Sequence, residues 1–256
     1  MKSERIKYGK NKSGNQRYKY RSTNKVKVER VNDCRMSIRM FCIFLYYKNM
    51  SYRKIGELMD VSHVSVYNWV KQYSSHVAQN FKLSEVTEIT DIEIDELYTY
   101  FKKKTDKIYV MTAVDRNTYQ LIDFDVVESL KQSEFNKFLD GIVEDDSLQI
   151  NDYHTDAAPQ YIKYFKKKTV DDKHLSHTST KDETTQVESF NSIIRGSLAP
   201  LVRRTKVVTR SVTNLYNNLY TSFVFYNKKI KSIVDFLKFS CTFVPEIDLT
   251  GCIYFK

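Results

Sequence analysis

The stretch Ile94-Asp95-Glu96-Leu97-Tyr98-Thr99-Tyr100-Phe101, followed by Ile108-Tyr109-Val110-Met111-Thr112-Ala113-Val114, decides the fold. Both runs are rich in β-branched and aromatic residues, which favour strands over helices. Asp115-Arg116-Asn117-Thr118 has the residue types of a tight turn, with Asp115 in the first position of a type I turn. Residues 120–127 return to the strand pattern. The sequence therefore predicts three consecutive antiparallel strands.

Beyond these strands the apolar residues change to a helical spacing, and helices and strands then alternate. The resulting β-β-β-α-β-α-β-α order is that of the ribonuclease-H-like fold, in which the first and fourth strands lie side by side. We therefore predict an α/β domain over residues 91–235, with a mixed sheet flanked by helices, and a tail over 236–256. The later predicted elements are a helix from Ser133, a strand over 148–155, a helix over 157–167, a strand over 174–178 and helices from residue 183 onward.

Residues 31–76 have the pattern of three short helices, which is typical of a helix-turn-helix domain, and residues 77–90 are predicted to be a linker. Ser51 and Ser62 are predicted N-caps, and Gly56 is expected where two short helices approach closely. An ordinary small helical bundle is the alternative. The last helix would enter the major groove with its outward residues, the candidate base and phosphate contacts, which are His63, Ser65, Tyr67, Asn68 and Lys71.

The positive charge of the chain is concentrated at its start. The net charge is +10, and residues 1–30 hold eleven basic and two acidic residues, so that they contribute +9. A basic arm on a nearly neutral body is typical of proteins that bind a polyanion. We therefore expect the arm to bind DNA, with Arg17 and Lys19 among its contacts; a solubilising tail is the alternative.

Composition argues against a disordered, membrane-spanning or disulfide-rich protein. A hydrophobic content of 41% with 28% charged residues indicates a globular chain. The longest apolar run, residues 40–47, is far shorter than the roughly 20 residues of a membrane-spanning helix, and the first residues contain no apolar signal segment. The cysteines, none of them in a CxxC pair, are Cys34, Cys42, Cys241 and Cys252. We expect a cytoplasmic protein that binds no membrane and has neither a disulfide framework nor a zinc site.

Three acidic residues would meet if this fold is formed. Asp95 lies on the first strand, Asp156 ends the fourth and Glu188 lies on a later helix. Phosphodiester chemistry uses two Mg²⁺ ions about 3.5–4 Å apart, and such hard cations prefer carboxylate ligands. The hypothesis is that these three carboxylates are catalytic metal ligands, with Asp95 bridging two Mg²⁺ ions that Mn²⁺ could replace. The neighbouring acidic residues that remain alternatives are Glu96, Asp115 and Asp123.

Short motifs around these acids resemble those of insertion sequence one family transposases. Glu188, Asn191 and Arg195 match the family's Glu-x-x-Asn pattern, which has a basic residue seven positions after the Glu. Asp95-Glu96 resembles the family's strand opening, and Thr155-Asp156 resembles its Thr-Asp motif. The resemblance covers roughly residues 6–230, and its specific part is the joint order of the motifs.

The N-terminal region resembles that family in its outline and departs from it in its chemistry. Gly9 and Gly14, followed by Gln16-Arg17-Tyr18, resemble the second half of the family's zinc ribbon, and a helix-turn-helix follows as in the family. The family's ribbon uses cysteines, whereas this chain has none before Cys34. We therefore expect residues 1–30 to be a degenerate ribbon without zinc.

Helical geometry adds supporting residues to the acidic set. Residues three and seven positions after a helical Glu share its face. Asn191 is therefore expected to orient Glu188 or a metal-bound water, and Arg195 to meet a DNA phosphate. Lys181 is a further candidate for a phosphate contact. Glu96 should point to the face of its strand opposite to Asp95. The aromatic residues that could stack on unpaired bases are Tyr98 and Tyr161.

The resemblance implies a transposase of the DDE (Asp-Asp-Glu) type. The arm and the helix-turn-helix would bind terminal inverted repeats, and the acidic site would cut one strand at each end and join its 3′-hydroxyl to target DNA. It also implies a homodimer or larger assembly on double-stranded DNA, in the nucleoid of a bacterial or archaeal cell. Two alternatives stay open: a transposase-derived regulator that binds DNA without cutting it, and a metal nuclease, such as a resolvase, that cuts branched DNA without joining strands.

Overall fold

The computed structural model describes residues 5–10, 16–21, 24, 26–28, 32–86, 91–145, 148–171, 175–180, 184–202 and 208–241. The chain divides into two compact units, one of Met1–Phe44 with Ser232–Lys256 and one of Leu45–Lys231. The larger unit contains the α/β region together with the last two helices of the predicted helix-turn-helix. In the described ranges, no helix combines the length and the apolar character that crossing a bilayer requires.

The smaller unit contains a three-stranded antiparallel sheet, β1 (Arg5–Lys10), β2 (Gln16–Tyr20) and β3 (Val26–Val28), in that order. The segment Gln16-Arg17-Tyr18, whose residues can form a short strand, lies in β2. Gly9 has a φ of 69° where the register between β1 and β2 shifts, a conformation that glycine adopts without strain. This unit also holds most of α1 (Asn32–Tyr46) and a C-terminal helix (Ile233–Cys241).

The larger unit contains a five-stranded mixed sheet with the predicted ribonuclease-H-like topology. Its strand order is β6-β5-β4-β7-β8. The first three strands of this sheet pair antiparallel, whereas β4 with β7 and β7 with β8 pair parallel. The first and fourth strands of the sheet are therefore neighbours, as predicted. The strands are β4 (Asp91–Phe101), β5 (Lys103–Asp115), β6 (Leu121–Val127), β7 (Asp152–Thr155) and β8 (Ser176–Ser179).

Helices cover both faces of this sheet. On one face α4 and α5 pack on the strands through a core that includes Ile94, Met111, Phe135, Tyr161 and Phe165, all of them buried. On the other face α6 packs on β4 and β5, and α7 packs on β6. The four helices are α4 (Gln132–Val143), α5 (Pro159–Asp171), α6 (Thr185–Ser197) and α7 (Val212–Asn227).

The turn after β5 is built around Asp115, as expected. One oxygen of its carboxylate, Oδ2, accepts a hydrogen bond from the Thr118 backbone N–H at 2.8 Å, and Tyr119 follows with a φ of 60°. The side chain of Asp115 is buried in this turn. The presence of an aspartate at this position is therefore explained by turn formation and does not require a catalytic role.

Two helices precede the sheet, the short α2 (Tyr52–Met59) and the longer α3 (His63–Asn80). The predicted N-caps are confirmed, since Ser51 Oγ accepts from the Lys54 N–H and Ser62 Oγ from the Val64 N–H, each at 3.3 Å. The helix α3 continues to Asn80, within the stretch predicted to be a linker.

Packing against α7 changes which side chains of α3 face outward. The Tyr67 hydroxyl accepts a hydrogen bond from Asn214 Nδ2 at 2.6 Å, and its ring meets Tyr52 edge-on with centroids 5.6 Å apart. The prediction that Tyr67 faces outward is therefore wrong. Helical periodicity identifies one buried stripe, but it cannot reveal that a second helix lies along another side.

Gly56 gives a direct test of this helical packing. A Cβ built on Gly56 would lie 2.7 Å from the Val61 carbonyl oxygen and 3.1 Å from the His63 nitrogen, both of them backbone atoms. We expect Gly56→Ala to lower the free energy of unfolding by about 1–3 kcal/mol because the turn must move. The matched control is Gly141→Ala in α4, where nothing lies within 4 Å of the added Cβ; it should raise stability by up to about 1 kcal/mol. Urea unfolding measures both, and equal values would contradict the packing.

Candidate active site

Parallel pairing of β4 with β7 places Asp95 beside Asp156. The last paired residues are Ile94 and Thr155, so the next residue of each strand is an aspartate. Both aspartates are half-buried. The Asp156 Oδ1 accepts from the Ala158 N–H at 3.0 Å, just before α5 begins. Two of the three predicted carboxylates therefore lie where the pairing of these strands stops.

The third predicted carboxylate, Glu188, is exposed in the first turn of α6. Its charge reaches the aspartates, because it and Asp156 both raise the pKa of Asp95. Burial is the largest cause of that raised pKa, while the Glu96 backbone N–H and the Asn191 side chain act in the opposite direction. The structure therefore brings the three predicted carboxylates into electrostatic contact.

Asn191 has a different partner from the one expected. Its Nδ2 donates to Asp95 Oδ2 at 2.9 Å, and its Oδ1 accepts from Thr112 Oγ1 at 3.2 Å. The Thr112 hydroxyl also lies 3.2 Å from the Asp95 carbonyl oxygen. Asn191 is buried, and its amide fixes the orientation of the Asp95 carboxylate instead of acting on Glu188 or a water.

Glu96 is a fourth carboxylate at this site. Its Oε2 accepts from the Tyr161 hydroxyl at 3.1 Å, on the α5 side of the sheet, whereas Asp95 meets α6 on the other side. The predicted alternation is therefore confirmed. Burial and the charges of Asp95 and Asp156 raise the pKa of Glu96 to about 7. Tyr161 itself is fully buried, so it cannot stack on a base as we expected.

Glu93, which the sequence did not single out, holds the start of α6. Its side chain is fully buried, and its Oε2 accepts from the backbone N–H groups of Gln186 and Val187 at 2.7 and 2.9 Å. Its Oε1 lies 3.2 Å from Arg116 Nε, and Arg116 Nη1 lies 3.2 Å from His154 Nε2. A carboxylate at a helix N-terminus satisfies backbone N–H groups that have no partner within the helix. Glu93 thus ties to β4 the helix that carries Glu188 and Asn191.

The donor chemistry of the site fits a hard divalent cation, although the carboxylates do not form a closed ligand set. Asp95, Glu96, Asp156 and Glu188 offer only oxygen donors, and a cation would oppose the burial and the neighbouring negative charges that raise the pKa of Asp95. Among the residues that the structure describes, however, no three His, Cys, Asp or Glu side chains are placed to hold one ion. The carboxylates would therefore have to move closer together around a metal.

The other residues predicted for the site lie around it or apart from it. Arg195 Nη1 donates to the Tyr98 carbonyl oxygen at 3.3 Å, with the guanidinium 5.8 Å from the centre of the Tyr98 ring. Lys181 lies outside the described residues. The rival Asp123 lies on the edge strand β6, where burial is the main cause that raises its pKa to about 6.

The residues predicted to contact DNA fall in two separate places. On α3, His63, Asn68 and Lys71 are exposed and Ser65 is half-buried. In the three-stranded sheet of the smaller unit, Arg17 and Lys19 are half-buried, and their charged groups lie over the ring of Tyr8, 5.4 and 5.7 Å from its centre.

Comparison with known proteins gives only distant structural similarity. No protein-family model matches the sequence, and no curated protein is significantly similar to it. The catalytic core of HTLV-2 integrase, solved in complex with magnesium, is 16% identical over 57% of this chain and 90% of that chain, with a TM-score of 0.41. The catalytic core of BIV integrase is 12% identical, over 56% and 85%, with a TM-score of 0.37. An intasome of simian T-cell lymphotropic virus is 14% identical, over 73% and 64%, with a TM-score of 0.41. Such values transfer no residue role, and the fold rests on the strand order above.

The anchoring role of Glu93 predicts a local effect on α6. Glu93→Ala leaves Arg116 without its buried partner and the first N–H groups of α6 unpaired, so we expect unfolding free energy to fall by about 3 kcal/mol. Amide exchange at Gln186 and Val187 should accelerate, as measured by hydrogen–deuterium exchange. The control is Glu128→Ala, an exposed glutamate expected to change stability by less than about 0.5 kcal/mol. Unchanged exchange at the two amides would show that Glu93 does not hold this helix.

Proposed function

We propose that this chain is a metal-dependent DNA strand-cutting and strand-joining enzyme and, more specifically, a DDE transposase that acts at the terminal inverted repeats of its own element. The observation that carries the proposal is the meeting of Asp95, Asp156 and Glu188 on a ribonuclease-H-like sheet. Each comes from a different part of the fold, and the charges of Asp156 and Glu188 add to burial in raising the pKa of Asp95. The resemblance of the surrounding motifs to insertion sequence one family transposases supports the finer assignment.

The proposed reaction consists of two phosphoryl transfers. In the first, a water oxygen attacks the phosphorus at the end of the element and the 3′-oxygen leaves, taking a proton to become a 3′-hydroxyl. In the second, that hydroxyl attacks a phosphorus of the target DNA, so one phosphodiester forms as another breaks. Bound at the site, two Mg²⁺ ions supply activation of the attacking oxygen and stabilisation of the leaving oxygen. Asp95, Asp156 and Glu188 would hold them.

The protein's own groups prepare this site in two ways. Asn191 donates a hydrogen bond to one oxygen of Asp95, which restricts the rotation of that carboxylate. Glu93 sets the start of α6 and hence the distance of Glu188 from the aspartates. Positioning of this kind lowers the barrier because reacting groups need no reorganisation when charge develops.

DNA binding is assigned to two separate surfaces. The exposed residues His63, Asn68 and Lys71 of α3 suit contacts to base edges and phosphates in a major groove. Arg17 and Lys19 of the small sheet suit contacts to phosphates. Joining two element ends requires two active sites, so a homodimer or larger assembly belongs to the same proposal.

Carboxylate substitutions test the chemistry. With duplex oligonucleotides that carry the element ends, and with Mg²⁺ or Mn²⁺, Asp95→Asn and Glu188→Gln should each lower the rates of cutting and joining by on the order of 10³-fold, since each removes several kcal/mol of transition-state stabilisation. Glu128→Gln, an exposed glutamate of the same unit, is the matched control and should keep both rates.

The outcomes of this assay separate the alternatives. Joining that persists in Glu188→Gln would overturn the site assignment. Cutting of branched DNA without joining would indicate a resolvase-like nuclease. DNA binding by a folded wild type without cutting or joining would favour the transposase-derived regulator, an alternative consistent with the open arrangement of the carboxylates.

Substitutions on α3 test the assignment of the DNA-reading surface. Lys71→Ala should weaken binding to all duplexes and reduce the slope of log K against log salt by about 0.9, as expected for one lost phosphate contact. Asn68→Ala should instead cost about 1–3 kcal/mol only on the preferred sequence. Lys137→Ala on α4 removes an exposed lysine far along the chain and is the control. Equal loss from all three variants, measured by fluorescence anisotropy, would exclude α3 as the reading helix.

A further inference from the structure

On one face, the hairpin formed by β4 and β5 carries tyrosines and lysines at the margin of the core, against which Tyr109 packs. Tyr98 pairs with Tyr109 and Tyr100 with Lys107 across the two strands. Since side chains alternate along a strand, these four share the face of Glu96. The three tyrosines are half-buried, and Lys107 is exposed. We call Tyr98, Tyr100, Tyr109, Lys104 and Lys107 the hairpin platform.

Cationic groups lie over the rings of this platform. Lys107 Nζ is 4.5 Å from the centre of the Tyr98 ring, and Lys104 Nζ is 5.8 Å from that of Tyr100. The Tyr98 ring also meets Tyr100 and Tyr109, with centroids 6.0 and 6.4 Å apart. Cation–π contacts of this kind hold the positive charges at defined places next to aromatic surface.

The tip of the hairpin is hydrogen-bonded to the rest of the unit. Thr209 donates its backbone N–H to the Tyr100 carbonyl at 3.1 Å, and its own carbonyl accepts from the Lys102 N–H at 2.7 Å. The Thr99 hydroxyl is bonded to the Pro200 carbonyl. The platform is therefore a fixed surface whose position relative to the carboxylates is set by the fold.

The charge and the position of the hairpin platform suit a nucleic acid strand that enters the candidate active site. Residues 102–107 contain four lysines and one aspartate, so the hairpin tip has a net charge of +3. Tyr98 lies three residues after Asp95, roughly 10 Å along the strand, with its side chain on the opposite face of the sheet. Arg195 of α6 contacts both the carbonyl and the ring of Tyr98 at the edge of β4 that β7 leaves unpaired. A DNA strand whose phosphate lies at the carboxylates would therefore reach the platform by passing around this edge.

We propose that the hairpin platform binds the unpaired DNA strand next to the phosphate that is cut, with Lys104 and Lys107 at its phosphates and the tyrosine rings against its bases. This inference rests on the proposed function, since it takes DNA as the substrate. An unpaired strand is favoured over a duplex because its unstacked bases can take the places over the rings that the lysine groups occupy here, while the lysines turn to its phosphates. Arg195, whose guanidinium lies 5.8 Å from the centre of the Tyr98 ring, extends the positive surface towards α6.

The first experiment measures binding as a function of salt. The probe is a duplex oligonucleotide with a short unpaired 3′ overhang, compared with the same duplex without the overhang. Lys104→Ala/Lys107→Ala should lose affinity for the overhang probe and reduce its salt slope by about 1.4, at about 0.7 for each single-strand phosphate contact. Lys82→Ala/Lys137→Ala removes the same charge from exposed lysines on other elements and should keep the slope of the wild type.

The second experiment measures stacking directly. A 2-aminopurine in the overhang should be quenched by the wild type and by Tyr100→Phe, which keeps the ring, and less by Tyr100→Leu. Thermal melting of each variant establishes that it is folded, and the lysine pair, whose side chains are exposed, provides the test if Tyr100→Leu does not fold.

The outcomes distinguish this proposal from the proposed function. Equal salt slopes for the two lysine double variants, or equal losses on overhang and blunt probes, would overturn the platform while leaving cutting and joining intact. A wild type that neither cuts nor joins, but whose overhang binding depends on Lys104 and Lys107, would retain the platform and reject the enzyme.

Discussion

The parallel pairing of β4 with β7 ends at Ile94 and Thr155, and the candidate site is arranged around this end. Up to that point the facing backbone N–H and C=O groups of the two strands pair with each other. Beyond it, β4 continues alone on that side, which makes room for side chains from α6. Asp95 and Asp156 meet there because the ladder stops, and Asn191 reaches Asp95 across the face of β4 and β5, where it also bonds Thr112.

Charge buried beneath α6 is the second constraint. Glu93, Arg116 and His154 form a polar layer between the sheet and the helix, where an apolar core would ordinarily be expected. Buried ion pairs add little net stability compared with well-packed apolar residues, but they hold their partners in one arrangement when every group is bonded. Here the arrangement that they hold is the position of α6, which carries both Glu188 and Asn191. These buried charges therefore add little stability next to the site, but they define its geometry.

Features determined by nearby residues were predictable from the sequence, whereas features determined by contacts between distant elements were not. Ser51, Ser62 and the Asp115 turn depend on bonds that span two or three residues, so their local signals were sufficient. Tyr67 was assigned to the wrong face of α3 because α7, far along the chain, packs there.

The same distinction holds within the site. The strand order could be inferred from the alternation of elements, and it brought Asp95 and Asp156 together as expected. The partner of Asn191 and the anchoring role of Glu93 depend on how α6 lies against β4. Nothing in a strand pattern distinguishes a buried glutamate from a solvent-facing one, although a charged residue on an otherwise apolar strand is a signal worth following. In the three-stranded sheet near the N-terminus only the strand at Gln16-Arg17-Tyr18 was predicted, because each strand is short and its few apolar residues alternate with charged ones over too few positions.

The unpaired side of β4 beyond Asp95 has a consequence for self-association. An exposed strand edge is a template on which another chain can add a strand. Here Arg195 donates a hydrogen bond to the Tyr98 carbonyl, and the Thr209 backbone bonds the Tyr100 carbonyl and the Lys102 N–H. Two residues from outside the sheet therefore cover that edge. Two copies of the chain held together on DNA would bring such edges close at high local concentration. If two copies act together on DNA as proposed, covering these edges would keep their sheets from pairing and would leave the assembly reversible.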